Sequence, residues 1–176
     1  MSNERTQLLG EHHSRAAAPA RLLVVDDDPA FAHALTEFLH GEGYQVDSAA
    51  DGAHARTLLA NTRYHLVFAG LSRTSAGMLL GMIHQWCPEV VVLVITSFDM
   101  LARAAAAVRR GALAYLIKPL IDDEIRVAIQ QALEQQRLLS GSYRLRRQLA
   151  AVRPGYARRR PPVRMRYAPT PGDGTP

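Results

Sequence analysis

Five residues have the types needed to build one oxygen-rich, charged site: Asp26, Asp27 and Asp28 in an unbroken run, then Thr96 and Lys118. Three consecutive carboxylates repel one another unless a cation or solvent offsets their charge, and carboxylates suit a hard, oxygen-seeking ion such as Mg2+. A threonine hydroxyl donates to an anionic oxygen, and an ammonium pairs with a carboxylate or a phosphoryl group. Together these groups describe a phosphoryl-handling site. The plainer alternative is that the aspartates cap the helix that follows Pro29, where the helix dipole favours them, while Thr96 and Lys118 merely end strands. Lys118 stands out in another respect, because it is the single lysine among 21 basic residues.

Whether such groups meet depends on the elements between them. Apolar runs of strand length occur at Leu22 to Val25, Leu66 to Ala69, Val90 to Ile95 and Leu113 to Ile117, with a shorter one around Tyr44 to Ala49. Segments with helical spacing alternate with them. The first follows Pro29, places Phe31, Leu35, Phe38 and Leu39 on one face and stops at Gly41 and Gly43. Others run from about Ala53 to Ala60, Met78 to Trp86 and Asp99 to Arg110, and a fifth begins near Asp122. Continuously apolar strands alternating with helices predict an α/β fold, a doubly wound five-stranded parallel sheet covered on both faces. Ligands of such sheets bind at the carboxyl ends of the strands. Asp26 and Asp27, Gly70, Thr96 and Lys118 all fall at such ends, so they are expected to converge.

A chain of 176 residues that is 48% hydrophobic suits one domain with a tail. No run approaches the ~18 apolar residues that cross a bilayer, and the first twenty residues lack the apolar stretch of a secretory signal, so a cytoplasmic protein without membrane contact is expected. Cys87 has no second cysteine to pair with and reads as a small buried hydrophobe. The seven histidines, His12, His13, His33, His40, His54, His65 and His84, show no metal-ligand spacing, and none is assigned to zinc. Charge is uneven. Residues 21–136 carry nine basic and thirteen acidic side chains, whereas residues 137–176 carry ten arginines against one aspartate.

The segments LLVVDDDP at 22–29, VLVITSF at 92–98 and GALAYLIKPL at 111–120 resemble, in order and spacing, the receiver domains of two-component response regulators. The resemblance covers about residues 21–136 and implies a flavodoxin-like fold. It implies that Asp26 and Asp27 match the metal-binding acidic pair, Thr96 the switch hydroxyl, Tyr115 the rotating aromatic and Lys118 the site lysine. Asp28 lies outside the pair and reads as a helix cap. A histidine kinase, or another signalling protein, is the implied partner.

The same resemblance exposes a departure. The family's third strand ends in the phosphate-accepting aspartate, in a segment like LVLLDxxxPxxxG, and this chain reads LVFAGLSRTSAG, with Gly70 at that position, Thr74 in place of proline and a loop to Gly77 one residue short. Glycine can neither attack phosphorus nor give a side-chain oxygen to a metal. Ser72 and Asp28 are poorly placed to substitute, since in-line displacement needs a geometry that a shifted group seldom reproduces. No catalytic residue is therefore assigned, enzyme activity is not expected, and Mg2+ binding by Asp26 and Asp27 is expected to be weak or lost.

The expected organisation is a disordered segment 1–20, a receiver domain 21–137, a helical linker 138–153 and a disordered Arg- and Pro-rich tail 154–176. The linker spaces Leu138, Leu145 and Val152 seven apart with Leu149 between, a short heptad stripe interrupted by Gly141 that could pair two copies as a homodimer. Nothing after Pro154 reads as a folded output domain. The expected function is a receiver in a phosphorelay acting through protein contacts without conventional aspartate phosphorylation. The alternative is a nucleic-acid-associated regulator on a receiver scaffold, binding phosphates through the tail cluster of Arg158 to Arg160, Arg164 and Arg166.

Overall fold

The computed structural model describes residues 19–70 and 76–152. The disorder expected for 1–20 and 154–176, and the positions of Ser72 and Thr74, therefore fall wholly or almost wholly outside the described residues. In chain order the elements are β1 (Arg21–Val25), α1 (Pro29–Gly41), β2 (Gln45–Ala49), α2 (Gly52–Asn61), β3 (Leu66–Gly70), α3 (Ala76–Trp86), β4 (Val91–Thr96), a 3-10 turn (Phe98–Met100), α4 (Leu101–Arg109), β5 (Ala114–Ile117) and α5 (Asp122–Val152). All strand pairs are parallel and the sheet order is β2-β1-β3-β4-β5. The chain divides into two units, Met1–Gly141 and Ser142–Pro176, and the boundary falls within α5.

The apolar strands are explained by what covers them. Leu22 and Val24 of β1, Leu66 and Phe68 of β3, and Val91, Leu93 and Ile95 of β4 pack with Ala32, Leu35 and Leu39 of α1 and with Ile125, Ala128, Ile129 and Ala132 of α5. Their neighbours Leu23, Val25, Val67, Ala69, Val92 and Val94 point the other way, into a second core with Ala55 and Leu59 of α2, Leu79, Leu80 and Ile83 of α3, and Ala104 and Ala107 of α4. A strand alternates its side chains between faces, so two covered faces require an unbroken apolar run. The edge strands face less protein. β2, with the sequence QVDSA, fully buries only Ala49, and β5 fully buries none of its four residues.

Helix boundaries follow local chemistry. Asp28 caps α1, its carboxylate accepting from the amides of Ala30 (3.0 Å) and Phe31 (3.1 Å), and Pro29 occupies the first turn, where no amide hydrogen is needed. Past its end, Gly43 takes a φ of +87°, which a side chain would resist. On α1 the fully buried residues are Ala32, Leu35 and Leu39, whereas Phe31 and Phe38 sit half-buried at the margins, under Lys118 and Arg126 respectively. The fourth helix starts later than its spacing suggests. The amide of Met100 bonds to the carbonyl of Ser97 in a tight turn, and no side chain caps α4.

Tyr64, just before β3, is buried and its hydroxyl donates to Asp47 Oδ2 at 2.8 Å across to β2. Burial, and then the Asp47 carboxylate, push its pKa up to about 12. The fold thus favours the protonated phenol, so the stability it contributes is complete below the unfolded value of about 10 and is lost as pH rises through the folded one. Tyr64→Phe is expected to cost about 1 kcal/mol near neutral pH, with the gap between the two urea midpoints narrowing above about pH 10. A gap that stays constant across that range would show that Asp47 does not hold the phenol protonated.

Candidate functional site

The carboxyl ends of β1, β3, β4 and β5 bring the predicted residues together. Val25 pairs in register with Ala69, Gly70 with Ile95 and Thr96 with Ile117, so Asp26, Gly70, Thr96 and Lys118 lie along one edge of the sheet. The backbone amide of Lys118 donates to the carbonyl of Thr96 at 2.7 Å, and that of Asp26 to the carbonyl of Ala49 at 3.1 Å. The Lys118–Pro119 peptide bond is cis.

At the centre is an ion pair. Asp26 is 5% exposed, and its carboxylate uses both oxygens: Oδ1 accepts from the Asp28 amide at 2.9 Å, and Oδ2 accepts from Lys118 Nζ at 2.9 Å. The same ammonium lies 3.5 Å from the centre of the Phe31 ring, a close cation–π contact. A carboxylate taken this far out of water requires a cation and hydrogen bonds to offset the lost hydration, and both are present. Thr96 is buried, and its hydroxyl donates to the Ser97 carbonyl at 3.2 Å. Asp27 and Asp28 are exposed, and Tyr115 is 41% exposed on β5.

Gly70 faces the pair directly. A Cβ built there would overlap Asp26 Oδ2, lie 2.8 Å from Asp26 Cγ and sit 3.1 Å from the Val25 carbonyl. The Asp26 side chain thus occupies the volume that any side chain at position 70 would enter. Neither this overlap nor the Phe31 ring over the ammonium is apparent from spacing.

Mg2+ prefers an octahedron of free oxygens. Here one oxygen of Asp26 is bound to an ammonium, the other to an amide, and position 70 contributes no side chain. No group of three His, Cys, Asp or Glu side chains among the described residues is arranged to hold a metal. The donor set does not fit a resident Mg2+.

The remaining candidates lie elsewhere. Cys87 is half-buried rather than fully buried, packs against the core beneath α2, α3 and α4, and has its pKa raised by burial and then by Glu89, as suits an unreactive thiol. His65 accepts from the Arg21 amide at 3.0 Å, and His40 lies 3.8 Å from Glu37. No helix among the described residues is long and apolar enough to cross a membrane.

A parallel sheet in the order 2-1-3-4-5, with carboxylates at the end of its first strand, defines the flavodoxin-like class. Within that class the chain belongs to the response regulator receiver domain family, whose model matches residues 22–130. It is 36% identical over 119 residues to the transcriptional regulatory protein GlrR of Escherichia coli, and 34% identical over 121 residues to the nitrogen assimilation regulatory protein NtrX of Azorhizobium caulinodans. Each alignment covers 66% of this chain and 27% of the relative, so the chain spans about a quarter of the length of these regulators. Among solved structures, NtrX from Brucella abortus in complex with ADP superposes with a TM-score of 0.67 at 29% identity, over 72% of this chain and 30% of that one. A receiver domain protein from Clostridium thermocellum gives 0.64 at 26% identity, over 68% and 98%.

Removing one partner of a buried pair strands the other charge. Lys118→Met is expected to lower stability by about 2–3 kcal/mol, somewhat less than for a fully enclosed pair because Lys118 keeps some solvent contact. Adding Asp26→Asn to that variant is expected to restore most of the loss. Chemical denaturation of the two variants beside the wild type measures both effects, and an unchanged midpoint in Lys118→Met would show that the pair carries no weight.

Proposed function

We propose that this chain serves two-component signalling as a receiver that works through protein contacts, without conventional phosphorylation of an aspartate at the end of β3. The observation that carries the reading is Gly70, which has no carboxylate to attack phosphorus and lies against an Asp26 already committed to Lys118. Mg2+ binding by Asp26 and Asp27 is weak or lost in this reading. Thr96 and Tyr115 keep the switch positions of the family, yet act as fixed parts of the surface around α4, β5 and α5. The partner is a histidine kinase or another signalling protein, and the setting is cytoplasmic. The activities of the longer regulators are not assigned to this chain, and no catalytic role is assigned to any residue.

Incubation with a small-molecule phosphodonor and Mg2+ is expected to leave the intact mass unchanged. A phosphoryl adduct trapped on any aspartate would overturn the proposal.

The same reading includes self-association through α5. Leu138, Leu145 and Leu149 are all more than half exposed, and their spacing of seven and four puts them on one stripe of a helix. Apolar side chains so exposed are stabilised by covering, and a second copy offers an identical stripe. Light scattering is expected to give a dimer mass for the wild type and a monomer mass for Leu145→Lys. A wild-type monomer at high concentration would remove this part of the proposal. Binding of nucleic acid by the arginine cluster rests on residues outside the described structure, and deleting residues 154–176 and measuring salt-dependent binding to duplex DNA tests it.

A further inference from the structure

We propose that Asp26, Lys118, Phe31 and Gly70 form a self-occupied latch, in which an internal carboxylate and ammonium fill the site and hold one conformation independent of Mg2+ and of phosphoryl groups. The inference rests on the receiver reading above and specifies how that site is regulated.

Three observations build it. The Asp26 carboxylate is held on both oxygens, by the Asp28 amide and by Lys118 Nζ, each at 2.9 Å. Lys118 is held in turn by the Phe31 ring at 3.5 Å and, through its backbone amide, by the Thr96 carbonyl. The loop is closed through Asp28, whose carboxylate accepts from the Phe31 amide, so the residue that fixes Asp26 also fixes the ring over Lys118. Contacts thus run from β1 to α1 to β5 and back. A metal ion would have to displace an ammonium from Asp26, and a phosphoryl anion would have to compete with Asp26 for Lys118.

Gly70 is the condition for the latch. A Cβ at this position would overlap the Asp26 carboxylate as it is placed here, so the carboxylate would have to shift from its present position between the amide and the ammonium. The glycine therefore does more than lack a phosphate acceptor, because its bare Cα provides the space in which the pair closes.

The test is a double-mutant cycle of Asp26→Asn and Lys118→Met, followed by denaturation in the wild-type and Gly70→Ala backgrounds. The expected coupling is about tenfold or more in the unfolding equilibrium constant with glycine, and below about threefold with alanine. Equal coupling in both backgrounds overturns the latch. Should Gly70→Ala fail to fold, Mg2+ titration followed at the Asp28 amide by NMR decides in its place. Lys118→Met, whose Asp26 is released, is expected to bind at least about tenfold more tightly than the wild type. Equal affinities, or no binding in either protein, overturn the proposal. Phosphodonor labelling of the wild type is a separate readout, so failure of the receiver reading and failure of the latch are distinguishable.

Discussion

The edge of the sheet is organised around one contact, the 2.9 Å ion pair between Asp26 and Lys118, which joins residues 92 positions apart. Its two ends are unequal: the Asp26 side chain is 3% exposed and that of Lys118 30%. The carboxylate therefore needs the pair more than the ammonium does. Buried carboxylates are costly when unpaired, and the surrounding structure keeps this one paired by independent routes. β1 delivers Asp26 at its end, β5 delivers Lys118, and α1 turns Phe31 over the ammonium. Moving any of these three elements would weaken the contact.

The fold was legible where the physics is local or periodic. β1, β3 and β4 could be read from unbroken apolar runs, because a strand with both faces covered has no polar side. β2 was harder, since an edge strand has fewer neighbours to demand apolar residues, whereas β5, also at an edge, was legible in the run Leu113 to Ile117. Asp28, Pro29 and Gly43 marked the ends of α1 because capping is decided within a few residues of the chain. α4 starts at Leu101, just after the position near Asp99 that its spacing suggests, because Asp99 lies inside a 3-10 turn.

The candidate site was legible in membership and hidden in arrangement. Asp26, Thr96 and Lys118 could be listed because strand ends converge in any such sheet. That Asp26 would lean across Gly70 could not be read, because it depends on the shape left between β1 and β3. Phe31 was legible as part of an apolar stripe on α1, and in the structure it lies at the margin of that stripe, with its ring against a charge. A residue's helical face can be deduced from spacing, whereas the partner across that face depends on another part of the chain.

Charge balance explains why these features occur together. Two carboxylates about 4 Å apart repel by about 4 kcal/mol at an effective dielectric constant of 20, and three in one crevice compound the problem. With an aspartate at position 70, this edge would hold Asp26, Asp27 and that residue against a single ammonium, an excess of negative charge that a divalent cation would relieve. With glycine, Asp26 and Lys118 cancel, and Asp27 is left in solvent, where its charge is screened. Glycine at position 70 thus leaves this edge with one carboxylate fewer for the single ammonium to balance. What remains is a charge-balanced contact between a buried carboxylate and a partly exposed ammonium.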